Sequence, residues 1–534
     1  MCTTAEMATG LISIYKKLYT DIYRIFLNMR NTYKILHLPI LLIAILITSC
    51  TTLDPVSQPE EFTPAPSGDH LWKDLQSIQP GDWYSLLNDG PTALDWRLRS
   101  IDTASSSIEL QTFLWDLDTT GRLILKHIIT AADRGVKVRI LIDDTFLLSE
   151  DDMLLALHEH PNIEYRIFNP NKRRANSFLT RQVLNLGEFH RLDHRMHNKS
   201  MVIDNRIAII GGRNLADEYF GLHDKANFRD LELLVGGPIV QDISQAFDRY
   251  WNDRWSVSID QIAHVKPSPE RLITDIQEIT IPKGVHYEET VQQRNEQWKS
   301  LVRRSYTGKA KLIVDRPPEN NPADAAEAPI QVAEKLQELI DNALSEILVI
   351  TAYLIPSEHL EQIFGNAVER GVRVRVLTNS IRSNNHLTAH SAYRNHIKTL
   401  LTNGVELHEV RIDARDRDVY MLSPTEKKSL ALHAKALLID SQKVFIGSAN
   451  LDPRSLRINT EMGLLVESKA LGERLKGIVG PDYDSANAWQ LNIDQHGRVS
   501  WVSDYITLDS MPAAGFMQRI EDWFFSLLPL DEEL

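Results

Sequence analysis

Histidine and lysine stand two residues apart at two places in the chain, His197-Asn198-Lys199 and His433-Ala434-Lys435. Each pair is followed by an aspartate, Asp204 or Asp440, and then by Gly211-Gly212-Arg213-Asn214 or Gly447-Ser448-Ala449-Asn450. Residues two apart on an extended strand point to one face, so each His and Lys would share a side while Asn198 and Ala434 face away. Two imidazoles at one site can divide a phosphoryl transfer, one attacking phosphorus and the other protonating the departing oxygen. Lys199, Lys435, Asn214 and Asn450 can hold the nonbridging oxygens as a charge clamp. That clamp needs no metal ion, and no cofactor is expected. A nucleophilic imidazole also wants a carboxylate on its other nitrogen to fix one tautomer. Each half offers a candidate, Asp230 downstream of His197 and Glu461 downstream of His433. Ser448, where the first copy has Gly212, is given a minor supporting role.

The elements that must position these residues also occur twice. An apolar strand, Ile108 to Trp115, leads through a helical pattern to Arg134-Gly135-Val136-Lys137-Val138-Arg139-Ile140-Leu141. Ile347 to Tyr353 leads likewise to Arg370-Gly371-Val372-Arg373-Val374-Arg375-Val376-Leu377. In both, glycine ends a helix and an alternating strand begins. The interval from Arg134 to His197 equals that from Arg370 to His433, and one constant offset relates the His, Lys, Asp, Gly and Asn of the two copies. This is a duplicated domain, not a solenoid of short units. Strands alternating with helices predict the α/β class, with two α/β/α sandwich domains related by a pseudo-twofold and both histidines in the cleft between them. The boundaries read 91–260 for the first domain, 261–325 for a connector and 326–500 for the second.

The duplicated H-x-K-x4-D-x6-G-[GS] pattern resembles the phospholipase D superfamily. Over roughly residues 108–501 the chain is similar to bacterial cardiolipin synthase C-type phosphatidyltransferases. The segments that carry this narrower likeness are Arg195-Met196-His197-Asn198-Lys199-Ser200, Asp452-Pro453-Arg454-Ser455, Asn459-Thr460-Glu461-Met462-Gly463 and Ala488-Trp489-Gln490-Leu491. The resemblance implies a site of His197, Lys199, Asp204, His433, Lys435 and Asp440, with His197 the nucleophile and His433 the general acid and then base. It also implies that Asp204 and Asp440 support the motif rather than touch substrate. Spacing alone orders neither histidine. The expected substrates are phospholipids, phosphatidylglycerol first and phosphatidylethanolamine as an alternative donor. Transfer to a lipid alcohol would give cardiolipin and transfer to water phosphatidic acid.

The flanks bear on location. Ile35 to Ile47 is apolar except for His37 and Pro39, follows Arg30 and Lys34, and ends at Ile47-Thr48-Ser49-Cys50. That run is too short to span a bilayer, which takes roughly 20 residues. It reads as a signal peptide over 1–49, resembling a lipobox with Cys50 lipidated, followed by a tether over 50–90. In a bacterial lipoprotein Thr51 after the cysteine implies outer-membrane sorting, facing the periplasm. The net charge is -14, and residues 1–49 contribute +3, so the body carries about -17. Such a body repels a nucleic-acid backbone, and no nucleic-acid partner is expected. Lys172, Arg173, Arg174, Arg181, Arg191 and Arg195 form a basic cluster before the first motif, read either as a solvated loop or as a collector of anionic headgroups. His190, His194 and His197 lack the spacing of a zinc site. In the tail, 501–534, Phe516, Ile520, Trp523, Phe524, Leu527 and Leu528 recur at near-helical spacing, with two readings: a membrane-surface helix or a core helix.

Overall fold

The computed structural model describes residues 53, 56, 58–148, 150–277, 279–280, 282–285, 290–317, 330–504 and 506–526. Cys50, the apolar run before it, and Leu527 and Leu528 lie outside the described residues.

Among the described residues, ten strands precede the second repeat: β1 (Trp83–Leu87), β2 (Ser107–Thr112), β3 (Lys137–Asp143), β4 (Ile163–Phe168), β5 (Ser200–Ile203), β6 (Ile207–Gly211), β7 (Ala226–Arg229), β8 (Glu232–Gly236), β9 (Ser256–Ser258) and β10 (Tyr306–Thr307). All but β7 form one sheet in the order β10-β1-β8-β6-β5-β2-β3-β4-β9. Eleven follow: β11 (Lys309–Val314), β12 (Glu346–Ile350), β13 (Arg373–Asn379), β14 (Glu406–Val410), β15 (Ser429–Leu432), β16 (Ala436–Ile439), β17 (Lys443–Gly447), β18 (Met462–Glu467), β19 (Ala488–Ile493), β20 (Val499–Val502) and β21 (Thr507–Leu508). All but β15 form the second sheet, β11-β18-β17-β16-β12-β13-β14-β19-β20-β21. Each sheet is mixed. Its centre, β2-β3-β4 or β12-β13-β14, is parallel, and the motif strand, β5 or β16, pairs antiparallel with the first of these. The helices that frame the sheets and the site include α1 (Thr119–Asp133), α2 (Ile239–Trp251), α3 (Glu358–Glu369), α4 (Leu387–Thr402), α5 (Lys469–Val479) and α6 (Phe516–Phe525).

Local chemistry explains the shared centre. Helix α1 starts where the Asp118 side chain accepts from Gly121 N, and α3 where the Ser357 hydroxyl accepts from Leu360 N. These are N-caps, satisfying amides that have no partner inside the helix. Both helices end before a glycine in left-handed backbone, Gly135 at φ 95° and Gly371 at φ 85°, a region L side chains avoid. The central strand that follows Gly135 is buried on both faces beyond its first residue, as the continuous run Ile140-Leu141-Ile142 requires.

The two sheets share a core. Val202, Ile210, Leu233 and Val235 of the first sheet pack in one cluster with Leu348, Ile350, Leu438, Ile446 and Leu464 of the second. Helices α2 and α5 complete that layer, while a separate cluster backs each sheet on its outer side. The halves are therefore held rigidly by apolar burial, the dominant favourable term in folding. Folded structure also extends past the sequence boundaries. Strand β1 and helix His70–Ile78 fall within 50–90, the stretch read as tether, and they join the first half because Trp72, Leu75 and Trp83 are buried there. The stretch 261–325 places Trp298 in the same core and supplies an edge strand to each sheet.

Candidate active site

Strands β7 and β15 belong to neither large sheet; they pair with each other in parallel across the two halves, Arg229 opposite Leu432. The residues immediately after this register are Asp230 and His433. His433 N and Ala434 N both donate to Arg229 O, at 2.9 and 3.1 Å. The other crossing is built the same way but shorter. Met196 and Thr460 form an isolated parallel bridge, Thr460 N donates to Arg195 O and His197 N to Thr460 O, each at 2.9 Å. The residues after that bridge are His197 and Glu461.

Each imidazole thereby meets a carboxylate from the opposite half. His197 Nδ1 lies 2.9 Å from both Glu461 oxygens, and His433 Nδ1 lies 2.7 Å from Asp230 Oδ2. Sequence order groups Asp230 with His197 and Glu461 with His433; the structure exchanges the partners. The physical reason is backbone pairing between halves, which brings residues 264 and 203 positions apart into contact. With Nδ1 donating to a carboxylate, Nε2 is the nitrogen left for chemistry in both rings.

The His-x-Lys segments differ from expectation in one respect. They are extended leads into β5 and β16 rather than members of those strands, because their amides pair across the halves instead of within a sheet. The lysines still accompany the histidines. Lys199 Nζ donates to His197 O at 2.7 Å, and Lys435 Nζ donates to His433 O and lies 3.0 Å from His433 Nδ1.

His433, both lysines and both carboxylates are buried, and His197 is partly buried. Burial pushes the Lys199 ammonium down to about 7 and that of Lys435 to about 8, against the pull of Glu461 and Asp230. Burial and then Lys199 and Lys435 hold His197 well below the ordinary imidazole range. Burial and Lys435 push His433 down to about 3, although Asp230 opposes them. Both rings are neutral at pH 7 in the free protein. The carboxylates diverge. Burial drives Glu461 up to about 7, only partly offset by Lys199 and Ser448. Burial acts on Asp230 in the same direction, yet the His433 and Lys435 contacts win and hold it well below the carboxylate range.

The residues behind the two carboxylates also differ, Ser448 behind Glu461 and Gly212 behind Asp230. The Ser448 hydroxyl donates to Glu461 Oε2 and accepts from Met462 N at 3.0 Å. A Cβ at Gly212 would stand 2.3 Å from Asp230 Oδ1, so the first half has no room for a hydroxyl.

Asp204 and Asp440, grouped by sequence with the histidines, sit at the other end of their strands. Asp204 accepts from Ser105, Ser106 and Ser107 N and from Trp72 Nε1; Asp440 accepts from Leu344, Ser345 and Glu346 N. Each carboxylate clamps the chain entering β2 or β12 and so fixes the register of the motif strand beside it. Both also turn a hairpin in left-handed backbone, Asp204 and Asn205 at φ 55° and 51°, Asp440 and Ser441 at 53° and 54°, a region Asn and Asp tolerate well. Both carboxylates accept hydrogen bonds from the chain entering these strands.

The asparagines face the same region. Asn214 Nδ2 donates to Tyr219 OH at 2.8 Å, while Asn214 Oδ1 is buried without a hydrogen-bond partner, and Thr351 Oγ1 reaches Asn450 Oδ1 at 3.5 Å. The aromatic walls were missed by sequence reasoning. Phe113 stands edge-on to His197 at 4.9 Å, Tyr219 edge-on to His433 at 4.9 Å, and Phe228 tilts against His433 at 5.2 Å. Phe113 directly follows β2 and Phe228 lies just before Asp230, so position relative to the repeat was the available signal. Four of the six residues of the basic cluster meet neither of its two readings. Arg174 binds Asp144 and Asp151, Arg181 binds Asp144, Arg191 binds Glu188 and Arg195 approaches Asp143, and all four arginine side chains are almost wholly buried. These guanidiniums neutralise acids inside the first half.

Residues 98–251 and 336–479 each match the family described as cardiolipin synthase, PLD-like domain. Cardiolipin synthase C of Escherichia coli (strain K12) is 33% identical over 450 residues, covering 82% of this chain and 92% of that protein. Cardiolipin synthase B of the same strain is 24% identical over 428 residues, covering 76% and 82%. Among solved structures, phosphatidylserine synthase of Haemophilus influenzae Rd KW20 shares the fold with a TM-score of 0.53 and 14% identity, over 79% of this chain and 92% of that one.

Proposed function

The chain belongs to the cardiolipin synthase family with phospholipase D-like domains, and from that premise we propose that it makes cardiolipin from phosphatidylglycerol through a phosphohistidine on His197. It is a phosphatidyltransferase or phospholipase D-type enzyme. His197 Nε2 attacks phosphorus of one phosphatidylglycerol, and the glycerol oxygen leaves with a proton from His433. A second phosphatidylglycerol then gives its hydroxyl proton to His433 while its oxygen attacks the phosphohistidine, releasing cardiolipin and free His197. Lys199 and Lys435 hold the nonbridging oxygens throughout. Burial, and then their charge, keeps His433 neutral in the free protein; a bound phosphodiester anion offsets that charge, so the ring can hold its proton when needed.

The observation that carries the order of the histidines is the contrast between the carboxylates. Asp230, firmly ionised, suits an imidazole that must become cationic. Glu461, pushed up to about 7, suits one that begins neutral and attacks. The acceptor is supported by the family. The lipobox-like sequence before Cys50 supports an exported lipoprotein, held at the outer membrane and facing the periplasm. The test is product analysis by mass spectrometry with phosphatidylglycerol vesicles and EDTA. Cardiolipin and glycerol are expected from the wild type and neither from His197→Ala; phosphatidic acid without cardiolipin would make the enzyme a hydrolase.

A further inference from the structure

Helix α6 is docked with its apolar side outward. Its seat is polar. The buried Asp522 carboxylate accepts from His390 Nδ1 at 2.7 Å, Arg394 Nη1 at 2.9 Å and Ser391 Oγ at 3.1 Å, all on α4, and Gln518 Nε2 donates to Ile381 O at 3.0 Å. Met517, Ile520, Trp523 and Phe524 face away from that seat and are 62%, 39%, 53% and 56% exposed. Their spacing is that of one helical stripe. A helix packed for stability alone would bury this stripe and leave the acid in water. A contiguous exposed apolar patch of this kind marks a contact surface.

Its position and charge say what the contact is. Ile381 lies just beyond the end of β13, whose Asn379 both donates to and accepts from the backbone of Leu432, at 2.7 and 2.8 Å. Leu432 precedes His433, so one strand end supports both the histidine and the helix seat. The same loop packs on the site rim, where Tyr353 OH donates to Asn385 Oδ1 at 2.7 Å. On the other half an exposed aromatic also reaches the histidines, Phe146 edge-on to Phe113, which contacts His197. Exposed Arg519 lies on α6 and exposed Arg382 follows Ile381 of its seat, so two cations join the half-buried Glu521 around the stripe on an otherwise acidic protein. Aromatic stripe and cationic flank together are the signature of a helix lying in a bilayer surface that contains anionic lipid. Ten residues, about 15 Å of helix, lie on such a surface rather than cross it.

We propose that α6 is an interfacial docking helix, laying Met517, Ile520, Trp523 and Phe524 into the surface of a bilayer rich in anionic phospholipid and holding the histidine cleft against it. This rests on the reading that the substrate is a phospholipid. The test is hydrogen exchange of the 516–526 peptide in the full chain, with and without phosphatidylglycerol vesicles. It is paired with turnover of phosphatidylglycerol in vesicles and in detergent micelles. Vesicles are expected to slow exchange of this peptide about fivefold or more, and Trp523→Ser/Phe524→Ser to abolish that protection. The same variant should lose about tenfold of vesicle turnover while keeping micelle turnover. Met517→Ser/Ile520→Ser, on the same stripe, should behave alike. Unchanged exchange with vesicles overturns the proposal, including where the chain binds them through another segment. Protection that grows with protein concentration in the absence of vesicles assigns the stripe to a second copy and also overturns it. Equal loss in vesicles and micelles reduces α6 to a structural role. Vesicle protection that the variants remove, in a protein with no lipid turnover, sustains the docking and sinks the proposed reaction.

Discussion

The two imidazole–carboxylate crossings are alike in backbone and unlike in charge. In one, Asp230 faces Gly212, accepts from His433 and from Leu231 N, and stays ionised. In the other, Glu461 faces Ser448, accepts from its hydroxyl and is pushed up to about 7. The proposed two-step transfer asks different things of its two histidines. The inequality resides in the residues behind the rings, since both rings are neutral and both lysines similarly buried. On the proposed reaction each half tunes the histidine of the other, because each carboxylate comes from across the cleft.

The comparison breaks most readily at the carboxylates. Asp230→Asn should lower kcat by about 10⁴, the scale known for removing the ionised partner of a catalytic histidine. Glu461→Gln should lose about 10², because an amide can still orient His197 and the lost charge was only partial. Steady-state cardiolipin formation measures both, and equal losses would remove the basis for assigning different roles. Alanine at the two equivalent positions behind them comes next. Gly212→Ala forces its new methyl against Asp230 and should cost about 100-fold, the scale of a small misplacement in a preorganised site. Ser448→Ala only deletes a hydroxyl and should cost less than about tenfold.

The motif aspartates sharpen the contrast in stability rather than activity. Asp204 is fully buried and takes several donors including Trp72, whereas Asp440 is half-buried and holds amides at exposed Leu344 and Ser345. Removing Asp204 leaves buried amides unsatisfied and should cost about 3 kcal/mol, against about 1 kcal/mol for Asp440→Ala. Urea unfolding checks the order, and comparable losses would show that burial does not govern the clamp.

The repeat made much of this legible. Its constant offset identified His, Lys, Asp and Asn of both copies, and the glycines at 135 and 371 located the central strands. What was not legible is contact between residues far apart in sequence. The exchange of Asp230 and Glu461 depends on two short parallel pairings between halves, whose strands carry no local sign of their partner. The basic cluster looked free because Asp143, Asp144 and Asp151, its acids, lie well upstream of it on other elements. In the tail, periodicity found the helix but not which side is seated, since the decisive partner of Asp522 is His390, 132 positions away.

The smallest effect concerns pH. The Ser448 hydroxyl stabilises the Glu461 anion, so its hydrogen bond lowers a carboxyl that burial otherwise raises to about 7. His197 Nδ1–H is held more strongly by that anion than by a neutral carbonyl, so turnover should rise with pH through the same range. Ser448→Ala removes the stabilising donor, the carboxyl rises further, and the acid limb of kcat should move to higher pH by about half a unit to one unit. Above that limb, where Glu461 is ionised in both proteins, the activities should converge. Asp230 lies far below this range, so substitutions behind it should lower the whole profile without displacing the limb. A Ser448→Ala profile that is lower at every pH with an unmoved limb would mean the hydroxyl only packs the site. A displaced limb would identify Glu461 as the group whose ionisation gates the attack.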